Sequence, residues 1–241
     1  MLYFDKSLTT EYNAFMSFAI KTTNKLEEAA DFIALSVLNQ LKTGKRVLLF
    51  LTGGSSIAVG VKVAEILRES EEKELVKNLT ITLTDERYGP IDHFNSNYFQ
   101  LTEKGFNLPQ AKVIPILIDD DRNITTEKFD MVLKQEFEKA DYKIGLFGVG
   151  VDGHTAGVLP ESDAVLSENL AHSYDTPTFS RITMTPKAIE KLDEAVVWAQ
   201  GEDKWKVIKD LNENINIVKQ PAQILKKVPL LTIFTDYKNN L

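Results

Sequence analysis

The glycine-rich segment 148–156 carries an aspartate and a histidine two residues apart, Asp152 and His154, directly after an apolar run. An imidazole titrates near neutral pH, and an adjacent carboxylate can fix its orientation and tautomer. We therefore predict that His154 is a general acid–base residue supported by Asp152. The segment also contains a literal G-x-G-x-x-G, but Pro160 follows where a dinucleotide fold needs a long helix, and no strand with an acidic end follows about twenty positions later. We reject a dinucleotide site for that reason.

A second motif, residues Gly53, Gly54, Ser55 and Ser56, lies between the buried-strand pattern RVLLFLT and a helix expected to start near Ile57. Glycines let the backbone approach a ligand closely, and a serine can cap the helix so that its free N–H groups face an anion. The motif lacks the GK[ST] ending of a Walker loop and the final glycine of a hydrolase elbow. It predicts a phosphate site, and the alternative is a tight turn with a helix cap.

Charged residues stand at or near the ends of other predicted strands. Asp85 and Arg87 belong to the run DER at a strand end, which could equally be a solvated loop. Arg181 begins RITMT, and Lys204 follows the strand over 195–200. Together with the glycine–serine loop, Arg181 and Lys204 would form a phosphate clamp from a guanidinium fork and a point charge.

The elements that must position these residues alternate along the chain. Apolar β-rich runs predict strands at 46–52, 79–85, 112–117, 142–150, 181–185, 195–200 and 228–236, and helical spacing predicts helices at 11–41, 56–67, 97–101, 126–139, 186–192 and 203–211. This order predicts an α/β fold with a mainly parallel, Rossmann-like sheet and helices on both faces. Ligands of such sheets bind beyond the carboxyl ends of the strands, where the D-G-H turn, the glycine–serine loop, the run DER and Lys204 lie.

No linker or repeat interrupts the chain, so we expect one domain over residues 1–241, with a possible lid or small subdomain in the irregular-looking stretch 158–180. With 241 residues, of which 43% are hydrophobic, the chain can bury a substantial core. The absence of cysteine excludes disulfides, thiolate nucleophiles and Cys-ligated metals.

The net charge and the pattern of apolar residues indicate which partners and which location to expect. A net charge of −7 disfavours a nucleic-acid partner. The first fifteen residues lack a secretory apolar core, and no apolar run approaches membrane-spanning length. We expect a cytoplasmic protein without membrane contact, a monomer or small homo-oligomer.

Taken in order, the motifs resemble the 6-phosphogluconolactonase family, which shares its fold with glucosamine-6-phosphate deaminases. The segments that carry the resemblance are LTGGSS, TDERYGP with SNYFQL, GLFGVGVDGHTAGVLP, SRITMTP and GEDKWKVI. The D-G-H-T-A block, with D-E-R and S-N upstream of it, is the specific part.

The resemblance implies hydrolysis of 6-phosphoglucono-δ-lactone to 6-phosphogluconate with no metal and no redox cofactor. In that scheme His154 activates water, Asp152 orients the imidazole or holds the water, and Arg87 stabilises the oxyanion or binds a sugar hydroxyl. The residues expected to bind the sugar phosphate are Gly53, Gly54, Ser55, Ser56, Asp85, Arg181 and Lys204.

Alternatives remain at this stage. Deaminases of this fold carry a glutamate five residues after the histidine and an aromatic after Asp-Glu, whereas this chain has Leu159 and Arg87 there. Gly89 and the run Gly157-Val158-Leu159 depart from the common lactonase pattern and leave substrate preference open. A non-catalytic sugar-phosphate sensor would need a DNA-reading domain, which the first forty residues do not resemble. A serine hydrolase based on Ser55 or Ser56 would lack the nucleophile elbow.

Overall fold

The computed structural model describes residues 18–238, which form ten strands and six α-helices. The strands are β1 (Ala19–Thr22), β2 (Val47–Leu51), β3 (Leu79–Leu83), β4 (Asp85–Arg87), β5 (Lys112–Val113), β6 (Tyr142–Phe147), β7 (Ala171–Asp175), β8 (Ser180–Met184), β9 (Glu194–Ala199) and β10 (Leu230–Thr235). The helices are α1 (Leu26–Lys42), α2 (Ile57–Glu69), α3 (Asn97–Glu103), α4 (Arg122–Lys139), α5 (Pro186–Ile189) and α6 (Glu202–Asp210).

The main sheet has seven parallel strands in the order β1-β10-β9-β6-β2-β3-β5. Strand β2 is buried along its whole length, as its unbroken apolar sequence predicts for a strand covered on both faces. Successive side chains of a strand point to opposite faces. Phe50 packs against Phe137 of α4, with ring centroids 5.7 Å apart, while Leu51 contacts Gly60 of α2. Helices therefore cover both faces, and the predicted fold class is confirmed.

The strand order reverses direction next to β2. After β2 the chain adds β3 on one side, and it later adds β6 on the other side. Parallel sheets bind ligands at such a switch point, beyond the carboxyl ends of the strands. The Gly-Gly-Ser-Ser loop after β2 and the D-G-H turn after β6 therefore lie beside each other.

A second sheet of three antiparallel strands, β4-β8-β7, stands apart from the main one. The predicted strand 79–85 ends at Leu83, and the chain turns to pair β4 with β8. The predicted strand 181–185 thus belongs to this small sheet. The expectation of an irregular stretch over 158–180 is wrong, because it contains a 3-10 turn, Asp163–Leu166, and strand β7. A lid or subdomain there stays a prediction.

The expected helix over 11–41 differs from the structure. Residues 11–17 lie outside the described residues, 19–22 form β1, and α1 begins only at Leu26. Pairing with β10 satisfies the backbone of β1, and the Lys21 ammonium lies 4.3 Å from the centroid of the Phe32 ring. The pattern at 112–117 yields only the two-residue β5, since Pro115 has no N–H to donate to a ladder.

None of the helices in the range 18–238 combines the length and the hydropathy of a membrane span.

Candidate active site

A cavity of about 290 Å³ lies at the carboxyl edge of β2 and β6, between the main sheet and the small one. Most of the site residues predicted from the sequence line it: Gly53, Gly54, Ser55, Asp85, Arg87, His154, Arg181 and Lys204. The two other predicted residues, Asp152 and Ser56, do not line it. Residues from distant parts of the chain are thus collected in one concave site.

The histidine and aspartate form a direct pair. Asp152 Oδ1 lies 2.5 Å from His154 Nδ1 and also accepts the backbone N–H of His154 at 3.1 Å. A carboxylate only accepts hydrogen bonds, so the neutral imidazole carries its proton on Nδ1 and leaves Nε2 free to accept one. The imidazole is 38% exposed and its partner carboxylate 45%, so both reach solvent.

The turn that holds this pair depends on its glycines. A Cβ on Gly150 would come within 2.1 Å of the His154 ring atoms Nδ1 and Cε1. Gly153 has φ +81°, and the side chain of Gln220 fills the space where its Cβ would stand. Backbone hydrogen bonds from Gly150 N–H to His154 O, 2.9 Å, and from Ala222 N–H to Gly153 O, 2.8 Å, close the turn. The imidazole is therefore positioned by its own loop together with contacts from the segment 220–222.

The glycine–serine loop forms another wall of the cavity. Gly54 has φ +66°, a left-handed conformation that favours glycine, and leads through a short 3-10 turn into α2. Lys204 Nζ lies 3.3 Å from Ser55 Oγ, so the ammonium group of α6 stands over this loop. The arrangement combines backbone near a helix start with one cation, as an anion site requires.

Ser56 differs from its predicted role. The residue is fully buried, and its Oγ faces Gly148 behind the cavity wall without a hydrogen-bond partner among the described residues. It precedes α2 at the N-cap position, yet its side chain makes no capping hydrogen bond. The prediction that Ser55 or Ser56 caps the helix is thus wrong for the Ser56 side chain, and this buried residue does not line the cavity.

The small sheet brings two arginines and an aspartate to the cavity. Arg87 and Arg181 are paired in register on β4 and β8, so their side chains share one face of the sheet. Arg181 Nη1 lies 3.4 Å from Asp85 Oδ2, and Thr84 Oγ1 donates to Asp85 Oδ1 at 2.9 Å. The Arg87 guanidinium lies 4.8 Å from the centroid of the Phe179 ring and donates to a backbone carbonyl, that of Asn95. One carboxylate against two guanidinium groups leaves this wall positively charged.

Asn97 also lines the cavity, although the sequence reasoning did not place it in the site. Its Nδ2 donates to the Asp85 carbonyl at 3.0 Å, and its amide occupies the position where a Gly53 Cβ would stand. The amide therefore joins the glycine loop to β4. The sequence feature that could have indicated this role is the pair Ser96-Asn97 downstream of the run DER.

Glu86 supports this wall from behind. It is fully buried and accepts hydrogen bonds from the backbone N–H groups of Arg87, Asn97 and Tyr98, at 2.7, 2.6 and 3.0 Å, and from Ser96 Oγ at 2.9 Å. Burial raises the pKa of Glu86, and these hydrogen bonds oppose the rise. The carboxylate attaches the start of α3, and with it Asn97, to β4.

Leu159, the position that distinguishes lactonases from deaminases in the sequence, does not line the cavity. Its side chain is half-buried against a separate apolar cluster formed by Val158, Ala164, Val165 and Tyr174. The side chain at this position is therefore part of an apolar cluster and brings no titratable group to the site.

In the part of the chain that the structure describes, no three His, Asp or Glu side chains form a group that could hold a metal ion.

Comparison with known proteins relates the chain to one family. A family model described as glucosamine-6-phosphate isomerases/6-phosphogluconolactonase matches residues 21–232. The 6-phosphogluconolactonase of Borreliella burgdorferi is 30% identical over 178 residues, which cover 66% of this chain and 72% of that protein. The Haemophilus influenzae 6-phosphogluconolactonase is 27% identical over 190 residues, covering 76% and 78%. A crystal structure of 6-phosphogluconolactonase from Thermotoga maritima has the same fold, with a TM-score of 0.76 at 19% identity over 90% of this chain and 97% of that one.

Proposed function

Because the chain belongs to the family of glucosamine-6-phosphate isomerases and 6-phosphogluconolactonases, we propose that it hydrolyses 6-phospho-D-glucono-1,5-lactone to 6-phospho-D-gluconate in the oxidative pentose phosphate pathway. The observation that carries the proposal is the imidazole of His154, which lines a cavity rich in cations while Asp152 occupies its Nδ1. A lactone carbonyl is already electrophilic, so positioning, water activation and charge stabilisation suffice for its hydrolysis.

The proton moves through His154 Nε2. This nitrogen takes a proton from a water molecule while the water oxygen bonds to the lactone carbonyl carbon. As the tetrahedral intermediate collapses, the bond from that carbon to the ring oxygen breaks, and the imidazolium returns the proton to the leaving oxygen. Asp152 accepts from Nδ1–H throughout and stabilises the positive charge of the imidazolium.

The other walls bind the substrate. Arg87 is our candidate for the developing oxyanion or a sugar hydroxyl, and Asp85 with Asn97 offers hydrogen bonds to hydroxyl groups. The phosphate lies against Gly53, Gly54 and Ser55, with Arg181 and Lys204 as counter-charges. Ser56 is left out of these contacts because it is buried.

Leu159 supports lactone hydrolysis over deamination, the second candidate within the family. A deaminase needs a proton-transferring carboxylate at this position to open the sugar ring, and a leucine packed in an apolar cluster transfers no proton. Ammonia release from glucosamine 6-phosphate distinguishes the two activities directly.

The test measures acid production from freshly generated 6-phosphogluconolactone at slightly acidic pH, where background hydrolysis is slow. His154→Ala should lose about 10²–10⁴-fold in kcat, the range for general acid–base catalysis. The imidazole is partly exposed, so the variant should keep its fold, which circular dichroism checks. Turnover equal to wild type in a folded His154→Ala protein would refute the mechanism, and ammonia release without acid production would refute the lactonase assignment.

The proposal includes a cytoplasmic location, a monomeric or small homo-oligomeric state and no nucleic-acid partner. The net charge of −7 supports the last of these, since it repels phosphate backbones. Sedimentation of the purified protein measures the oligomeric state.

A further inference from the structure

We propose that Tyr174, which does not line the substrate cavity, is a positioning residue: it holds the segment 156–159 so that the Asp85–Arg181 wall keeps the geometry for binding the sugar phosphate. The inference rests on the proposed function of the same site. It concerns substrate affinity, as distinct from the proton transfer assigned to His154.

The hydroxyl of Tyr174 makes two hydrogen bonds to one segment. It donates to the Gly157 carbonyl at 2.5 Å and accepts the Leu159 backbone N–H at 3.1 Å. The side chain reaches this segment from β7 of the small sheet and is buried, only 9% exposed. The single phenol hydroxyl is therefore the hydrogen-bond partner of two backbone groups, the Gly157 carbonyl and the Leu159 N–H.

The segment is a tight turn closed by backbone hydrogen bonds between Thr155 and Val158, of 2.7 and 3.4 Å, and the small sheet adds contacts from outside. Ala156 and Gly157 are consecutive residues with positive φ, +50° and +72°, and a non-glycine residue adopts this conformation only when its surroundings impose it. A second hydroxyl from the small sheet, Thr183 Oγ1, donates to the Ala156 carbonyl. Two hydroxyl groups of the small sheet therefore bind the carbonyls of the neighbouring residues Ala156 and Gly157.

Gly157 transmits this position to the substrate wall. A Cβ on Gly157 would lie 2.6 Å from Asp85 Oδ2, so the backbone of Gly157 packs directly on that carboxylate. The same Oδ2 faces Arg181 Nη1 at 3.4 Å. Tyr174 and Arg181 are also paired in register on β7 and β8, which puts their side chains on one face. Tyr174 thus contacts Gly157, Gly157 packs on Asp85, and Asp85 faces Arg181.

The catalytic turn has contacts of its own in addition to the hydrogen bond from Val158 N–H to the Thr155 carbonyl, 2.7 Å, which joins it to the segment 156–159. His154 keeps its place through Asp152 and through the hydrogen bond from Gly150 N–H to its carbonyl. Thr155 Oγ1 donates to the Gly148 carbonyl at 2.9 Å, which closes the loop before residue 156. Loss of the Tyr174 hydroxyl should therefore loosen the binding wall and leave the acid–base pair in place.

The experiment compares Tyr174→Phe with Tyr142→Phe. Tyr142 is a matched control because it is equally buried, 9% exposed, and its hydroxyl also makes an internal hydrogen bond, to Glu194 Oε2 at 2.9 Å. It begins β6, at the end of the strand opposite to the cavity. Both variants should lose thermal stability, so stability alone does not separate a positioning role from a structural one.

Kinetics and binding separate the two roles. Tyr174→Phe should raise KM for the lactone by about tenfold and weaken equilibrium binding of 6-phosphogluconate by a similar factor, with kcat within about twofold and an unmoved pH–rate profile. Tyr142→Phe should keep the wild-type KM and binding. Thr183→Val removes the neighbouring hydroxyl at nearly constant volume and should raise KM as Tyr174→Phe does. It replaces Tyr174→Phe as the test variant if Tyr174→Phe does not fold.

Three results would overturn the proposal: wild-type affinity in the folded Tyr174→Phe or Thr183→Val protein, a kcat defect without a change in binding, or an equal KM rise in Tyr142→Phe. A wild-type protein that does not hydrolyse the lactone would refute the proposed function instead. The 6-phosphogluconate binding measurement would then still test Tyr174.

Discussion

Replacement of Gly150 by alanine should lower kcat while leaving the stability of the fold nearly unchanged. The new Cβ would stand 2.1 Å from His154 Nδ1 and Cε1, whereas ordinary contact begins at 3.4 Å, so the imidazole must move by about 1.3 Å. The same Cβ would stand 2.7 Å from Asp152 Oδ1, so both partners of the 2.5 Å His154–Asp152 contact must shift. A displacement of about 1 Å at a reacting group costs about 10²-fold in rate, equivalent to about 2.7 kcal/mol of activation free energy. We expect kcat of Gly150→Ala to fall by about 10²-fold.

The stability of the same variant should change little. Gly150 lies outside the left-handed region, so alanine can adopt its backbone conformation, and the ring that must yield is partly exposed. Thermal unfolding and lactone hydrolysis, measured on one preparation, check both halves of the prediction. Gly60→Ala is the matched control, because its Cβ would meet Leu51 at an ordinary 3.4 Å inside α2. A wild-type kcat in Gly150→Ala would refute the assignment of His154 as the base held by this turn.

Three further predictions concern the substrate wall, its support and the acid limb of stability. Arg181→Ala should raise KM for the lactone by about tenfold with a much smaller change in kcat, because a contact to phosphate is equally strong in ground and transition states. Steady-state kinetics measure both constants, and a pure kcat defect would contradict the prediction. Asn97→Ala should lower the free energy of unfolding by about 1–2 kcal/mol in urea denaturation, since the buried Asp85 carbonyl loses its donor, and an unchanged value would count against that role. Hydrogen bonds from Arg46 lower the pKa of Asp141 from 3.8 to about 2. This folded-state value lies below the unfolded one, so the stabilisation is present above pH 3.8 and disappears as pH falls towards about 2. The melting temperature of wild type should therefore fall more steeply than that of Asp141→Asn in this window, and parallel curves would contradict the prediction.

Some elements were predictable because their signals are local or continuous. The apolar run of β2 and the alternation of strands and helices indicate a parallel sheet, and the D-G-H spacing brings Asp152 and His154 together within a single turn. The errors occur where pairing with distant segments overrides local pattern. Residues 19–22 follow a helical apolar spacing, yet their backbone pairs with β10 at the other end of the chain.

The small antiparallel sheet was not visible in the sequence. Its strands β4, β7 and β8 are short and come from separated parts of the chain, and β4 follows β3 after a single residue. Nothing in the pattern at 84–88 shows that the strand leaves one sheet for another. Ser56 illustrates the same limit on a smaller scale, since its type and position suit a cap or a phosphate contact but packing against Gly148 buries it.

For this protein, the sequence alone determined the fold class, the histidine–aspartate turn and the glycine loop after β2, because each depends on residues within a few positions of one another. Only the tertiary structure decided that Arg87 and Arg181, 94 positions apart, share one face, that Asn97 joins the glycine loop to β4, and that Tyr174 supports the segment 156–159. These arrangements depend on which strands pair and in which register, and long-range pairing is fixed by the sum of many weak contacts across the chain.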